Sequence, residues 1–113
     1  MPSIIKVIQP AGILDSTNGN RLRRDVNDAI ESGAAAILID CQDVLFMDSS
    51  GLSALIMILK AVREANRKLS LCSINDQLRM LFELTSMESV FEVFQNQAEF
   101  NRLMSVSHSL PQL

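Results

Sequence analysis

The chain has 113 residues, with ten Lys or Arg against thirteen Asp or Glu and a net charge of −3. That length fits one domain that needs neither disulfides nor metals to fold, and 48 % apolar with 20 % charged residues excludes wholesale disorder. The mild acidity argues against a broad phosphate-backbone footprint, and a chain with no Tyr, no Trp and five Phe has no stacking platform for single-stranded nucleic acid.

Ile4-Ile5-Lys6-Val7-Ile8 is rich in β-branched residues and predicts a first strand. Pro10-Ala11-Gly12 interrupts it, and Ile13-Leu14 continues the extended path. From Asn20 the period changes: Leu22, Val26, Ala29 and Ile30 fall at helical spacing, with Thr17 or Asn18 as the cap and Gly33 as the stop. Ala34 to Asp40 is a short apolar run that suits a strand covered on both faces. Gln42 to Met47 leads from it into Asp48-Ser49-Ser50-Gly51, and then comes the clearest helix. Leu52, Leu55, Ile56, Leu59 and Val62 share one face, and Met57 and Ile58 widen the stripe. Leu69 to Ile74 predicts a second central strand. Asn75 or Asp76 caps a third helix with Leu78, Leu81 and Phe82 inward, Val90 to Phe94 forms a last short strand, and Ala98 to Met104 a terminal helix. Alternating strand and helix patterns predict an open α/β sheet with crossover helices.

Several residues are set aside on chemistry. Cys41 and Cys72 lie in strand-like runs without CxxC spacing and read as reduced core cysteines. His108 is alone, in a tail that reads as unstructured, so neither a metal nor a catalytic base is expected. No run approaches the roughly eighteen uncharged apolar residues of a membrane helix, and the N-terminus lacks a signal-peptide layout, so the expected location is the cytoplasm.

Asp48-Ser49-Ser50-Gly51 sits where a loop feeds a strongly apolar helix. Asp and Ser cap helices by accepting hydrogen bonds from free first-turn N–H groups, and capping alone is the plain reading of the segment. The same position suits a switch. A helix N-terminus carries partial positive charge, so phosphorylating Ser50 would add roughly −1.5 to −2 charges where the fold tolerates them. The change would be felt by whatever docks over the loop, with Asp48 adding negative charge and Gly51 allowing close approach to the backbone.

Phe46-Met47-Asp48-Ser49-Ser50-Gly51-Leu52 resembles the hallmark of STAS domains, specifically of bacterial anti-sigma-factor antagonists. Gly12-Ile13-Leu14-Asp15 is similar to the family's G-x-L-D segment, and Leu81-Phe82-Glu83-Leu84-Thr85-Ser86-Met87 to its L-F-x-x-[ST]-G-[LM] segment. The likeness in element order spans roughly residues 4 to 104, within a domain taken as residues 1–105 and followed by a loose tail at 106–113. The resemblance implies a small mixed sheet of about four to five strands, with about four helices mainly on one face. It also implies a non-enzymatic partner switch. The unmodified protein binds an anti-sigma factor that is also a serine kinase, that kinase phosphorylates Ser50 with ATP, and a PP2C-type phosphatase resets it. Asp15, Asp48, Ser49, Gly51 and Leu52 are the implied partner-binding residues, and Ser49 is the competing acceptor. Two positions depart from the family pattern. Asn66-Arg67-Lys68 stands where Gly often ends the second helix, and Ser86 stands where Gly is usual.

Other classes fit less well. A serine hydrolase needs a base and an orienting acid beside its nucleophile, and Ser50 has neither a plausible His nor a G-x-S-x-G elbow. A response-regulator receiver would use Asp40 at a strand end, yet Ile8-Gln9-Pro10 supplies no acid pair for Mg²⁺. No Walker-type loop supports nucleotide binding. A stressosome-like scaffold role stays open, as does a homodimer.

Overall fold

The structure, a computed structural model, describes residues 4–109, with side chains described for residues 4–104. Six strands and four helices follow in the order β1 (Ile5–Ile8), β2 (Ala11–Leu14), α1 (Ser16–Glu31), β3 (Ala36–Asp40), β4 (Asp43–Met47), α2 (Ser49–Glu64), β5 (Lys68–Cys72), α3 (Asp76–Leu84), β6 (Glu92–Phe94) and α4 (Gln97–Ser109). The α/β class expected from the alternation is the one observed.

The strands form a four-stranded sheet in the order β1-β3-β5-β6 and a separate pair, β2-β4. Every pairing is parallel, so the single mixed sheet implied by the family resemblance is instead two all-parallel sheets. Parallel strands need crossover connections, and α2 and α3 supply them between β3, β5 and β6. The second sheet exists because Asp43–Met47 is itself a strand, paired with Ala11–Leu14. Its pattern is weak, with Val44 and Met47 buried but Leu45 and Phe46 exposed, so alternation does not mark it.

The central strands sort their side chains by the period of two expected of a strand. Ile37 and Ile39 on β3, with Leu69 and Leu71 on β5, join Leu22 and Val26 of α1, Leu55 and Ile58 of α2, and Leu78 and Phe82 of α3 in the main core. Leu38 and Cys72 point the other way and pack with Phe94 and with Phe100 of α4, against Ile5, Val7 and Met104. Three helices therefore cover one face and α4 the other, and β3 is buried on both faces as its sequence predicts. Phe82 stacks on Phe91 at 5.5 Å, and Phe94 meets Phe100 edge-on at 5.2 Å. Cys41 and Cys72 are buried free thiols, pushed up to about 12 and about 11 chiefly by desolvation, which makes them unreactive at neutral pH.

α1, α2 and α3 end alike. Gly33, Asn66 and Ser86 each take a left-handed backbone, at φ 92°, 59° and 59°. Behind each, the next N–H bonds five residues back: Ala34 to Ala29, Arg67 to Val62 and Met87 to Phe82. These are Schellman closures, which glycine makes most easily. The two departures from the family pattern thus keep the geometry of a glycine stop without the glycine. α4 runs past the predicted Met104 to Ser109, so residues 106–109 of the expected loose tail are helical, while 110–113 lie outside the described residues. His108 falls on that last stretch, and its side chain is outside the described residues.

Candidate functional site

Leu14 and Met47 are register partners at the ends of β2 and β4. Because the pair is parallel, both strands finish at the same level and each turns at once into a helix. α1 and α2 therefore begin side by side, with two positive helix ends adjacent. Each is capped by an aspartate: Asp15 accepts from the Asn18 N–H at 3.0 Å, and Asp48 from the Gly51 N–H at 2.9 Å. The cap of α1 is thus Asp15, neither Thr17 nor Asn18. The helix starts one residue later, at Ser16, because Asp15 has the extended backbone that an N-cap needs. Asn18 serves instead as a brace, its amide donating to the Ile13 carbonyl at 2.6 Å.

Ser50 is half-buried in the first turn of α2, and its hydroxyl donates to Asp48 Oδ1 at 2.6 Å. Asp48 is held below the usual carboxylate range, first by that hydroxyl and then by the Gly51 N–H. The site thus presents an ionised carboxylate that orients a serine hydroxyl. Ser49, its neighbour, is exposed.

Of the implied partner-binding residues, Asp15, Asp48 and Ser49 reach the surface, but Gly51 and Leu52 do not. Leu52 is 5 % exposed and belongs to the main core. Gly51 is buried, and a Cβ there would lie 1.9 Å from the Leu14 carbonyl oxygen. Its missing side chain lets α2 begin against the end of β2, rather than opening the backbone to a kinase. The Asp48 N–H donates to that same carbonyl at 3.3 Å, which joins the two strand-to-helix corners.

Gln77 was not legible as part of this site. Its side-chain amide accepts from the Met47 N–H at 2.8 Å and donates to the Met47 carbonyl at 2.9 Å, acting as a strand partner for the end of β4. Asn75, which caps α3 as predicted, also donates to the Val44 carbonyl at 3.0 Å. α3 is thereby fastened to the strand that delivers Asp48. No sequence motif marks such a clamp, because it depends on tertiary register. Beside the corner, Ile13, Leu45 and Phe46 are large apolar residues left exposed. Ile13 and Phe46 are register partners across a bulge that turns Leu45 out of the pairing.

The receiver alternative loses its acceptor here. Asp40 is 1 % exposed and accepts from the Gln42 N–H at 3.0 Å, so it closes a turn inside the protein. The sheet order also departs from the 2-1-3-4-5 arrangement of receiver-type folds.

The fold and site define a small parallel α/β module that displays a serine at a capped helix N-terminus. Residues 2–100 match the model of the STAS domain, and the chain belongs to that family. The anti-sigma-B factor antagonist of Listeria monocytogenes is 26 % identical over 91 residues, 80 % of each chain. Among solved structures, the anti-sigma factor antagonist SpoIIAA in its unphosphorylated form superposes with a TM-score of 0.73 at 18 % identity, covering 93 % of this chain and 92 % of that one. Bacillus SpoIIAA has also been solved in the phosphorylated form, with a TM-score of 0.67 at 18 % identity over 91 % and 94 % of the two chains. A sulfate transporter family protein of Wolinella succinogenes shares the fold equally well, with a TM-score of 0.79 at 17 % identity over 93 % and 90 % of the two chains.

Proposed function

We propose that this protein is a non-enzymatic anti-sigma-factor antagonist working in the cytoplasm by partner switching, with Ser50 as its reversible phosphoacceptor. The observation that carries the reading is the Ser50 hydroxyl, held at 2.6 Å by Asp48 in the first turn of α2 beside exposed Ile13 and Phe46. Unmodified, this corner offers an apolar rim and a neutral hydroxyl to an anti-sigma factor that is also a serine kinase. Phosphorylation removes the proton that bridges Ser50 to Asp48 and places a second negative group beside an ionised carboxylate. The paired N-termini of α1 and α2 offset part of that charge, so the domain stays folded. The repulsion and the cost of desolvating a dianion then fall on the docked partner, which is released. A PP2C-type phosphatase restores the hydroxyl. The names of the Listeria and SpoIIAA relatives, both anti-sigma factor antagonists, support an anti-sigma factor as the partner.

The test is phosphopeptide mapping after incubation with the captured kinase and ATP. Phosphate is expected on Ser50, and Ser50→Ala should keep binding while refusing modification. Phosphate found on Ser49 instead, with Ser50 untouched, would overturn the assignment of the acceptor.

A further inference from the structure

We propose that the free edge of β1 is a dimerisation site, where a second copy of this chain adds its own β1, antiparallel, beside α1. β1 ends the four-stranded sheet, with β3 as its one partner strand. The Ala36 N–H donates to the Ile4 carbonyl at 3.3 Å, so Ile4, Lys6 and Ile8 turn their backbone groups toward β3. Alternation turns those of Ile5 and Val7 outward, away from the sheet. Along that edge runs an open cleft of 520 Å³, walled on its other side by Asp25 and Asp28 of α1.

The strand has the character of one that is paired on both sides. Ile4 is 60 % exposed and Ile5, Val7 and Ile8 are only partly buried, while Ile37, Leu38, Ile39 and Leu71 of the inner strands are wholly buried. The opposite edge, β6, is protected in the usual ways, being three residues long and carrying a charge, Glu92. β1 has no proline and no bulge, and Lys6 is its single charge. Lys6, Asp25 and Asp28 are exposed around one cleft, and none is in an ion pair, since the one pair among the described residues is Lys68 with Glu92.

A two-fold interface must complement itself, and this edge does. Its outward backbone groups can pair only Ile5 and Val7 positions with one another. Val7 opposite Ile5 would set Lys6 against Lys6 on the axis, which like-charge repulsion disfavours. Val7 opposite Val7 keeps the whole of Ile5–Ile8 in the pairing and sets each Lys6 opposite Ile8 of the second copy. Opposed side chains share a face, and Ile8 packs into the core that α1 covers. Lys6 therefore arrives beside Asp25 of the second copy, which lines the cleft with Ile8. Besides guarding the edge, Lys6 thus selects one register. The interface is small, so the dimer is weak and depends on concentration. Asp25 is roughly 15 Å along α1 from the Asp15 cap, so the edge is separate from the Ser50 corner and the inference does not rest on that reading.

The experiment is sedimentation equilibrium of the full chain from micromolar to millimolar concentration, with amide hydrogen exchange followed by NMR at both ends of the range. A monomer–dimer equilibrium is expected, with the Ile5 and Val7 amides exchanging about tenfold more slowly at the high end. The Lys6 and Ile8 amides, which face β3, serve as the internal reference. Lys6→Glu and Asp25→Lys, both at exposed positions, should each weaken the dimer about tenfold, and the two combined should restore it with the charges reversed. A monomer at every concentration would overturn the proposal and leave the edge to a strand of a different protein. A dimer that left Ile5 and Val7 exchange unchanged would also overturn it, as would a combined variant no tighter than the single ones.

Discussion

The Ser50 hydroxyl and the Gly51 N–H converge on one oxygen, Asp48 Oδ1, at 2.6 and 2.9 Å. The cap of α2 and the orientation of the proposed phosphoacceptor are therefore one interaction, and each responds to a change in the other. Asp48 is depressed below its ordinary value, so its capping contribution is fully present above that value and is lost as pH falls through the lowered one. Ser50→Ala removes the larger cause of the depression. The Asp48 carboxyl, followed by ¹³C NMR across acidic pH, should then titrate at higher pH than in the wild type. An unchanged midpoint would show that the hydroxyl does not hold the carboxylate.

Gly51→Ala tests the corner itself. In an ordinary helix Ala would stabilise by about 1 kcal/mol. Here the added methyl meets the Leu14 carbonyl oxygen, a backbone atom that cannot swing away. A net loss of about 3 kcal/mol is expected, read from the urea midpoint at constant slope. A stabilised variant would mean that α2 does not start against β2.

A second close approach holds α1 to α2. A Cβ on Gly19 would sit 2.6 Å from the Cβ of Ala54, so the crossing has room for one methyl and not two. Gly19→Ala should destabilise by about 1–2 kcal/mol. Adding Ala54→Gly, which moves the methyl to the other helix, should recover most of that loss in a double-mutant cycle. Strict additivity of the two changes would contradict the contact.

At the end of α3, Ser86 holds a left-handed backbone at φ 59° that costs a non-glycine residue about 1–2 kcal/mol. Part of the gain from Ser86→Gly is returned as unfolded-chain entropy. The variant should be more stable by roughly 0.5–1 kcal/mol, a rise of a few degrees in Tm. A fall in Tm would place the strain elsewhere.

Much of this architecture could be read from residue patterns, and the exceptions have physical causes. The buried strands β3 and β5 and the apolar stripe of α2 are strongly periodic because they face the core. β4 escaped because its role is to pair with β2 and deliver Asp48, which leaves Leu45 and Phe46 exposed and breaks the alternation. Asp48 and Ser50 stood out through capping chemistry and the family-like segment around them. Gly51 also stood out, but its purpose did not, since its need for a missing Cβ comes from Leu14, far away in sequence. Asp15 appeared only through the family resemblance, where the structure shows it to be the cap of α1. Gln77 left no trace, because an amide that pairs with the Met47 backbone is indistinguishable in sequence from any helical glutamine.

The most direct test of the proposed switch is the affinity of the captured anti-sigma kinase for four forms of this protein: unmodified, phosphorylated on Ser50, Ser50→Ala and Ser50→Asp. Circular dichroism should show all four folded alike. The unmodified and Ser50→Ala forms should bind tightly, and the phosphorylated and Ser50→Asp forms at least about tenfold more weakly, as expected for an uncompensated charge at a docked surface. Equal affinity of the phosphorylated and unmodified forms would contradict the account.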